Sequence, residues 1–524
     1  MRVVHAAAPP PTAPDAYMAA HEQFEDIITQ LRAPESQRLA HHELEKLLET
    51  EGRELLRRLL QAHLQERSPG PVAEPVIGAD GQGRRHQRVH RRAIETVFGE
   101  VTLSRQGYGG RGRGSLHPLD AELNLPPERY SHTVRRRVAE GAAQQAYDEV
   151  VAALDTHSGA HVPKRQAEAL VPKAAQDFDA FYEAQRPMTV PEAQTTSPIL
   201  VLSSDGKGIP MRRTDLRTAT RAAAESRQPR LRHRRSKGEK PHTKRMGTVA
   251  AVYTIAPWVR TAEDIVAELQ PRPTPIRARP RPEDKRVWAS VEQSPEAVLG
   301  QAFAEARRRD PGQNKKWVAL VDGQRSQLRL LRKIARVQGV DLTIILDLIH
   351  VLEYLWRAAW ALHAEGDPAA EAWVRQRLAE ILRGHSSLVA AGIRRSATLR
   401  GLSASARRPM DICAHYLLQY RAYLRYDQYL AAGYPIATGV IEGACRYLVK
   451  DRMEVTGARW SLRGAEAVLR LRSLRASGDF EAYWAFHLMQ EQKRNHAAHY
   501  ADGRVPTPNP RRGKANGASL RRVK

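Results

Sequence analysis

The chain has 524 residues, enough for two to four domains. It carries 83 Lys+Arg against 58 Asp+Glu, a formal net charge of +25. With 42% hydrophobic residues it can fill real cores, which excludes wholesale disorder. The positive excess argues against a typical small-metabolite enzyme and for a polyanionic partner, nucleic acid ahead of an acidic membrane surface.

Cys413 and Cys445 supply neither a disulfide framework nor a structural zinc site. There is no run of about 18 apolar residues, so no membrane span is expected. Met1 to Asp15 is Ala/Pro-rich without the apolar stretch of a signal peptide. The expectation is a soluble intracellular protein.

Residues 1–14 read as disordered. From Asp15 to Arg67, apolar residues at three- and four-residue steps (Phe24, Ile27, Ile28, Leu31, then Leu44, Leu47, Leu48, Leu55, Leu59) predict helices that bundle or dimerise. Ala93 to Arg105 reads as two short strands around Gly99, and Gly109 to Gly114 as a loop, closing an N-terminal helical and small β region at 115. Residues 116–190 read as a helix-turn-helix-like DNA-binding domain. Ser131 suits a helix cap, a second helix runs near Ala146 to Leu154, and Val162-Pro163 opens a third. Lys164, Arg165 and Gln166 at that helix start are the candidate base and phosphate contacts.

A Pro/Thr/Ser-rich stretch, Pro187 to Pro198, marks the next boundary. Ile199 to Leu202, Gly247 to Ile255, Trp317 to Val321 and Leu342 to Leu346 read as strands. Helices are expected over Pro295 to Arg309, Ser326 to Val337 and from His350 through Leu362. Strand–helix–strand–helix implies parallel strands with crossovers. Residues 191–365 therefore form the first part of a core, with a basic loop over 213–245 whose Arg232, Arg234, Arg235 and Lys237 suit phosphate backbone. A helical insertion over 366–432, C-terminal core helices over 433–500 and a disordered basic tail over 501–524 complete the expected order. The fold class is multidomain α/β plus α.

Three aspartates follow apolar strands: Asp205, Asp322 and Asp347. Sites in α/β sheets form at the carboxyl ends of strands. Two carboxylates on neighbouring strands, about 5 Å apart in backbone position, can bridge divalent cations. Mg²⁺ suits such oxygen ligands. Glu442, early in a later helix, closes the set as a third ligand. The competing reading makes each Asp a turn residue and Glu442 a helix-dipole partner.

An Asp, Asp, Glu set on a sheet with a long helical insertion resembles the RNase H-like polynucleotidyl transferases. Their first and fourth strands are neighbours and the fifth lies one place further out. On that likeness Asp322 is the second metal ligand and Asp347 the runner-up. The motifs Ser204-Asp205-Gly206-Lys-Gly208, Val321-Asp322-Gly323, Asp347-Leu-Ile-His350 and Gly439-Val-Ile-Glu442-Gly-Ala-Cys-Arg446 go further. Over roughly Ile94 to His496 the chain resembles bacterial insertion-sequence transposases of the DDE class, of the ISKra type, related to the Mutator-like branch. The Asp-x-x-His stretch is similar to that branch's signature.

The resemblance implies binding of terminal inverted repeats, hydrolysis at transposon ends and attack of the freed 3′-OH on target DNA. It implies two Mg²⁺ ions, with Mn²⁺ as a substitute, and double-stranded DNA as partner. It also implies a homodimer or higher synaptic assembly, in a bacterial cytoplasm beside the nucleoid. Asp205, Asp322, Glu442 and His350 would be catalytic; His350 either meets a scissile phosphate, orients a carboxylate, or is a half-buried structural histidine. Arg446 and Lys450 lie one and two turns beyond Glu442 and, with Arg452, suit DNA leaving the site; Trp460 suits either base stacking or the core. The departure from the pattern is a long basic, Pro-rich insertion between the first two acids. The rivals are a non-catalytic DNA-binding regulator derived from such a protein and an RNase H-like structure-selective nuclease.

Overall fold

A computed structural model describes residues 15–185, 197–228, 242–268, 278–364, 366–455 and 457–509. The chain divides into two compact units, residues 1–177 with 481–524, and residues 178–480. Among the described residues no helix is long and apolar enough to cross a membrane.

In the first unit, helices Met18–Arg32 and His41–Arg67 precede a three-stranded antiparallel sheet of β1 (His86–Thr96), β2 (Gly99–Gly110) and β3 (Arg113–Leu116). The expected Gly109 to Gly114 loop is thus shorter, because the hairpin continues to Gly110 and returns at Arg113. Leu64, Ile94, Val101, Leu103 and Leu119 make a core between helix and sheet. Helices His132–Gln144, Tyr147–His157 and Lys164–Ala174 follow. Ser131 caps the first of them, its Oγ accepting from Val134 N at 3.3 Å.

The helix Phe480–Asn495 packs with these three rather than with the larger sheet. Tyr483 and His487 are fully buried, Glu491 pairs with buried Arg135 at 2.6 Å, and His487 Nδ1 meets Asp177 at 2.7 Å. Residues 481–500, expected in the C-terminal part of the core, therefore belong to the first unit. Residues 501–509 are ordered with it as well: Val72 bridges Pro508, and Asn509 N donates to Pro71 O.

The second unit is built on a five-stranded sheet of β4 (Ile199–Pro210), β5 (Lys244–Ile255), β6 (Glu283–Ser290), β7 (Lys316–Val321) and β8 (Leu342–Leu346). The spatial order is β6-β5-β4-β7-β8. β4, β5 and β6 pair antiparallel; β7 and β8 run parallel to β4. Leu200, Val201, Val252, Val318, Leu320 and Ile345 are each buried, as strands covered on both faces require. Helix Pro295–Arg309 connects β6 to β7, and helix Arg325–Gln338 connects β7 to β8. Four helices fill 368–431.

Two features differ from expectation. β6 is a strand that the charged stretch Glu283-Asp-Lys-Arg286 conceals; only Val287, Trp288, Ala289 and Ser290 are buried. β4 continues eight residues past Leu202, because its antiparallel ladder with β5 runs on to Pro210↔Lys244 after β7 has stopped. Arg232, Arg234, Arg235 and Lys237 lie outside the described residues.

Glu305 pins helix Pro295–Arg309 to the sheet edge. Its buried carboxylate takes Arg286 Nη1 of β6 at 2.8 Å, Arg308 at 2.6 Å and Arg309 at 2.7 Å. Burial raises the cost of its charge, but these three guanidiniums hold its pKa far below the ordinary 4.5. The folded pKa is depressed, so the stabilisation is present above about 4.5 and lost as pH falls through the folded value. Glu305→Gln is expected to cost roughly 3–5 kcal/mol, because it takes the buried anion from three half-buried guanidiniums, Arg286, Arg308 and Arg309. Denaturant titration near neutral pH and in acid should show that loss at neutral pH and a flatter acid dependence in the variant.

Candidate metal centre

The sheet register aligns three acids. β4 pairs with β7 through Ser203↔Leu320, and β7 with β8 through Val321↔Leu346. Continued by two residues and by one, this register sets Asp205, Asp322 and Asp347 at one level on three adjacent strands. Asp347 N already extends the ladder, donating to Val321 O at 2.8 Å. At about 4.8 Å per strand, the backbones of Asp205 and Asp347 are roughly 10 Å apart.

Each aspartate has its own surroundings. Asp205 is half-buried within β4; its Oδ1 accepts from Gly206 N at 2.6 Å and its Oδ2 from Cys445 Sγ at 3.3 Å. Asp322 is half-buried in the turn after β7, with Oδ1 accepting from Gln324 N at 2.9 Å. Gly323 follows at φ 95°, where a Cβ would stand 3.0 Å from Leu346. Asp347 is fully buried, and both of its oxygens are engaged: Oδ1 accepts from Thr438 N at 3.0 Å and Oδ2 lies 2.8 Å from His350 Nδ1.

Glu442 is exposed in the first turn of helix Gly439–Ala444. Thr438 Oγ1 donates to its Oε1 at 3.4 Å. Among the described residues one group of potential metal ligands is compact: ligand atoms of Asp347, His350 and Glu442 lie within 4.8 Å of one another. Asp205 and Asp322 stand outside that group. Asp205 is tied to the same chain segment through Cys445, one turn beyond Glu442.

The electrostatics follow. The hydrogen bond to Asp347 raises the His350 pKa; the charges of Asp347, Asp322 and Glu353 add to this, and burial opposes it. Burial first, then the Asp205 carboxylate, pushes the Cys445 thiol upward, so it stays protonated and donates. Four acidic groups thus converge on one end of the sheet, an arrangement that favours a bound cation.

The helical insertion closes the site from behind, and sequence reasoning missed its part. Tyr420 OH donates to Gly323 O at 2.7 Å, and Tyr426 OH to Leu346 O at 2.8 Å. These carbonyls lie one residue past Asp322 and one before Asp347. No spacing rule connects a tyrosine at a helix end to a strand end 80 or 97 residues earlier. The sequence marks Cys445 as a reduced thiol and Thr438 as a start of the Glu442 helix, but their contacts with Asp205 and Asp347 do not follow from it.

Beyond Ala444 the helix widens into a π stretch, Cys445–Lys450. Arg472 donates to Leu448 O at 2.9 Å and to Tyr447 O, satisfying carbonyls of that turn. The wide turn takes Arg446 and Lys450 off the face expected from regular α spacing. Both remain exposed. Arg452 and Trp460 do not fit a DNA-facing role. Arg452 is 4% exposed with its guanidinium 4.8 Å from the Trp460 ring, and Trp460 is buried with Nε1 donating to Met453 O. In the first unit, Lys164, Arg165 and Gln166 are exposed at the start of their helix, and Lys164 pairs with Asp148 at 2.6 Å.

Among solved structures, the chain is similar to a Drosophila P element transposase strand transfer complex. The identity is 8% and the TM-score 0.23, over 71% of this chain and 82% of that one. No protein-family model and no curated protein matches the chain.

Tyr420→Phe and Tyr426→Phe each leave a buried carbonyl without its donor, at a cost of about 1–3 kcal/mol. Because those carbonyls fix the turns that carry Asp322 and Asp347, each variant should also weaken Mn²⁺ binding about tenfold or more. Denaturant titration and calorimetric Mn²⁺ titration would measure the two effects. Lost stability with unchanged Mn²⁺ affinity would separate the tyrosines from the site.

Proposed function

We propose that this chain is a metal-dependent DNA-processing enzyme, a transposase with an RNase H-like core that cuts transposon ends and joins their 3′-OH to target DNA. The observation that carries the reading is the alignment of Asp205, Asp322 and Asp347 across β4, β7 and β8, beside the Glu442 helix. The order β6-β5-β4-β7-β8, with only the last two strands parallel to β4, supports the same core.

The donor chemistry fits a hard divalent cation, since the acids at this end of the sheet offer oxygen ligands. Asp205, Asp322 and Glu442 would hold two Mg²⁺ ions, with Mn²⁺ as a substitute. Bound there, such ions supply Lewis acidity toward water and phosphate oxygens. Asp347 is the positioning residue. Its buried carboxylate fixes the His350 ring and the start of the Glu442 helix, and the raised His350 pKa suits a cationic partner for phosphate. Arg446 and Lys450 contact phosphates near the site, and the basic stretch with Arg232, Arg234, Arg235 and Lys237 contacts the DNA backbone without sequence preference. Lys164, Arg165 and Gln166 read terminal inverted repeats from the first unit. Two ends call for a homodimer or higher synaptic assembly.

A second reading has one specific observation in its favour. Asp347, His350 and Glu442 are the compact group, and a mixed nitrogen and oxygen set suits Mn²⁺ or another transition metal better than Mg²⁺. The two readings differ in which aspartate is indispensable.

A strand-transfer assay with labelled transposon-end DNA and a supercoiled plasmid tests both. Under the first reading, joining depends on Mg²⁺ and falls on the order of a thousandfold in Asp205→Asn, Asp322→Asn and Glu442→Gln. Asp347→Asn then loses only about 10–100-fold, the range for a residue that orients a ligand. Full loss in Asp347→Asn with Asp322→Asn active would move the centre to the second group. Cleavage without joining would make the protein a nuclease, and tight binding without cleavage a regulator. In DNA-binding titrations, Arg446→Ala and Lys450→Ala should each reduce the salt slope by about 1, whereas Arg452→Ala should lower stability and leave the slope unchanged.

A further inference from the structure

Asp205 and Asp322 lie at one level of the sheet, but the ladder between their strands ends before it reaches them. β4 and β7 pair through Ser203↔Leu320, two residues short of the acids. Past that point like charges face each other, and two carboxylates without a cation repel. Two side chains stitch the seam. Ser203 Oγ donates to Leu320 O at 3.0 Å. Gln327 Nε2 donates to Ser204 O at 2.6 Å and also meets Ser204 Oγ.

Gln327 comes from helix Arg325–Gln338, which begins three residues after Asp322. Of the four residues that this helix buries, Leu328, Leu331 and Ala335 are apolar and Gln327 is the exception. A buried amide costs stability unless it is hydrogen-bonded. Here only the nitrogen is bonded; Oε1 is buried and has no hydrogen-bond partner among the described residues. The amide cannot turn over to satisfy it, because Ser204 O only accepts. Packing alone favours an apolar side chain at such a position. What glutamine adds is a donor for the Ser204 carbonyl, next to Asp205. The same turn holds the second acid: Gln324, just before the helix, donates its backbone N to Asp322 Oδ1 at 2.9 Å. One helix start thus grips Asp322 by backbone and the Asp205 strand by a side chain.

We infer that Gln327 is a positioning residue, which fixes the spacing of Asp205 and Asp322 at the value that two bridged cations require. It acts through the two aspartates and not on the substrate. The inference rests on the two-ion reading of the acidic centre given above.

Calorimetric Mn²⁺ titration of the full chain tests it. Gln327→Met keeps the length and removes the donor. It should weaken Mn²⁺ binding about tenfold or more, the range for a residue that orients metal ligands. The Mn²⁺ concentration for half-maximal strand transfer should rise by the same factor, while the affinity for DNA stays unchanged. Gln327→Asn keeps an amide but is one methylene short, and should behave like Gln327→Met. Two controls separate positioning from folding. Ser477→Ala removes the hydroxyl that bonds Val287 N and O on β6, and should lower stability without changing Mn²⁺ affinity. In an Asp322→Asn chain, Gln327→Met should cost no further Mn²⁺ affinity, because the residue it positions is already gone. Unchanged Mn²⁺ affinity in both Gln327 variants, or losses that simply add in the double variant, would overturn the inference and leave the two-ion reading standing. A parent chain that binds no Mn²⁺, or whose binding is indifferent to Asp205→Asn, would overturn the two-ion reading and this inference with it.

Discussion

The buried carboxylate of Asp347 is the constraint on which the acidic end of the sheet depends. A charge withdrawn from water persists only when its oxygens are hydrogen-bonded. Asp347 meets that condition with His350 on one oxygen and the backbone N of Thr438 on the other. One residue thereby joins the end of β8, the first turn of helix Leu348–Ala359 and the start of the Glu442 helix, 91 residues further along the chain. Leu348 N donates to Ile436 O beside it, so the junction is held by backbone as well. Closing a long loop costs little more than closing a moderate one. Pinning its two ends is what lets a large helical segment sit between Asp347 and Glu442 without moving either.

That segment is more than a spacer. β8 is the last strand of the sheet, and an open edge leaves backbone groups without partners. Tyr426 and Tyr429 donate to Leu346 O and Ile344 O of β8, and Tyr420 to Gly323 O after β7. The insertion covers the edge with side-chain hydroxyls where another protein would add a strand. β4 solves a different problem. Its ladder with β5 continues after β7 has ended, which leaves the flank of Asp205 for Cys445. The thiol, kept protonated, is a small donor that brings the Glu442 segment against the central strand.

How much of this was legible in the sequence follows from the range of each interaction. Apolar runs marked β7 and β8 nearly to the residue because both faces of those strands are buried. The Ser131 cap and the helix over 295–309 were visible because their signals are local: a side-chain oxygen before a first turn, apolar residues at three- and four-residue steps. β6 was not, since its exposed half is charged and its buried half is only four residues. The extension of β4 through Asp205-Gly-Lys-Gly208 was hidden because glycines weaken a strand pattern, and the ladder that rescues them comes from β5. The four acids were found through spacing, but which of them meet was decided by Thr438, Cys445 and the tyrosines. Those contacts span about 80 to 240 residues and leave no periodic trace.

The basic residues show the same limit in another form. Composition counts every arginine alike, yet Arg286, Arg308 and Arg309 surround Glu305, Arg135 meets Glu491, and Arg494 meets Asp177 and Glu491. Arg452 lies under Trp460, and Arg472 holds the carbonyls of the π stretch. These arginines build structure. Most do so against carboxylates, and a neutral pair subtracts equally from both columns of the charge count. The surplus of +25 is therefore undiminished by ion pairing, however many pairs form. Arg452 and Arg472, engaged by a ring and by backbone carbonyls, keep their charge as well, because neither partner carries one. The residue-level map of basic side chains thus changes greatly between sequence and structure, while the attraction for a polyanion that composition implied changes hardly at all.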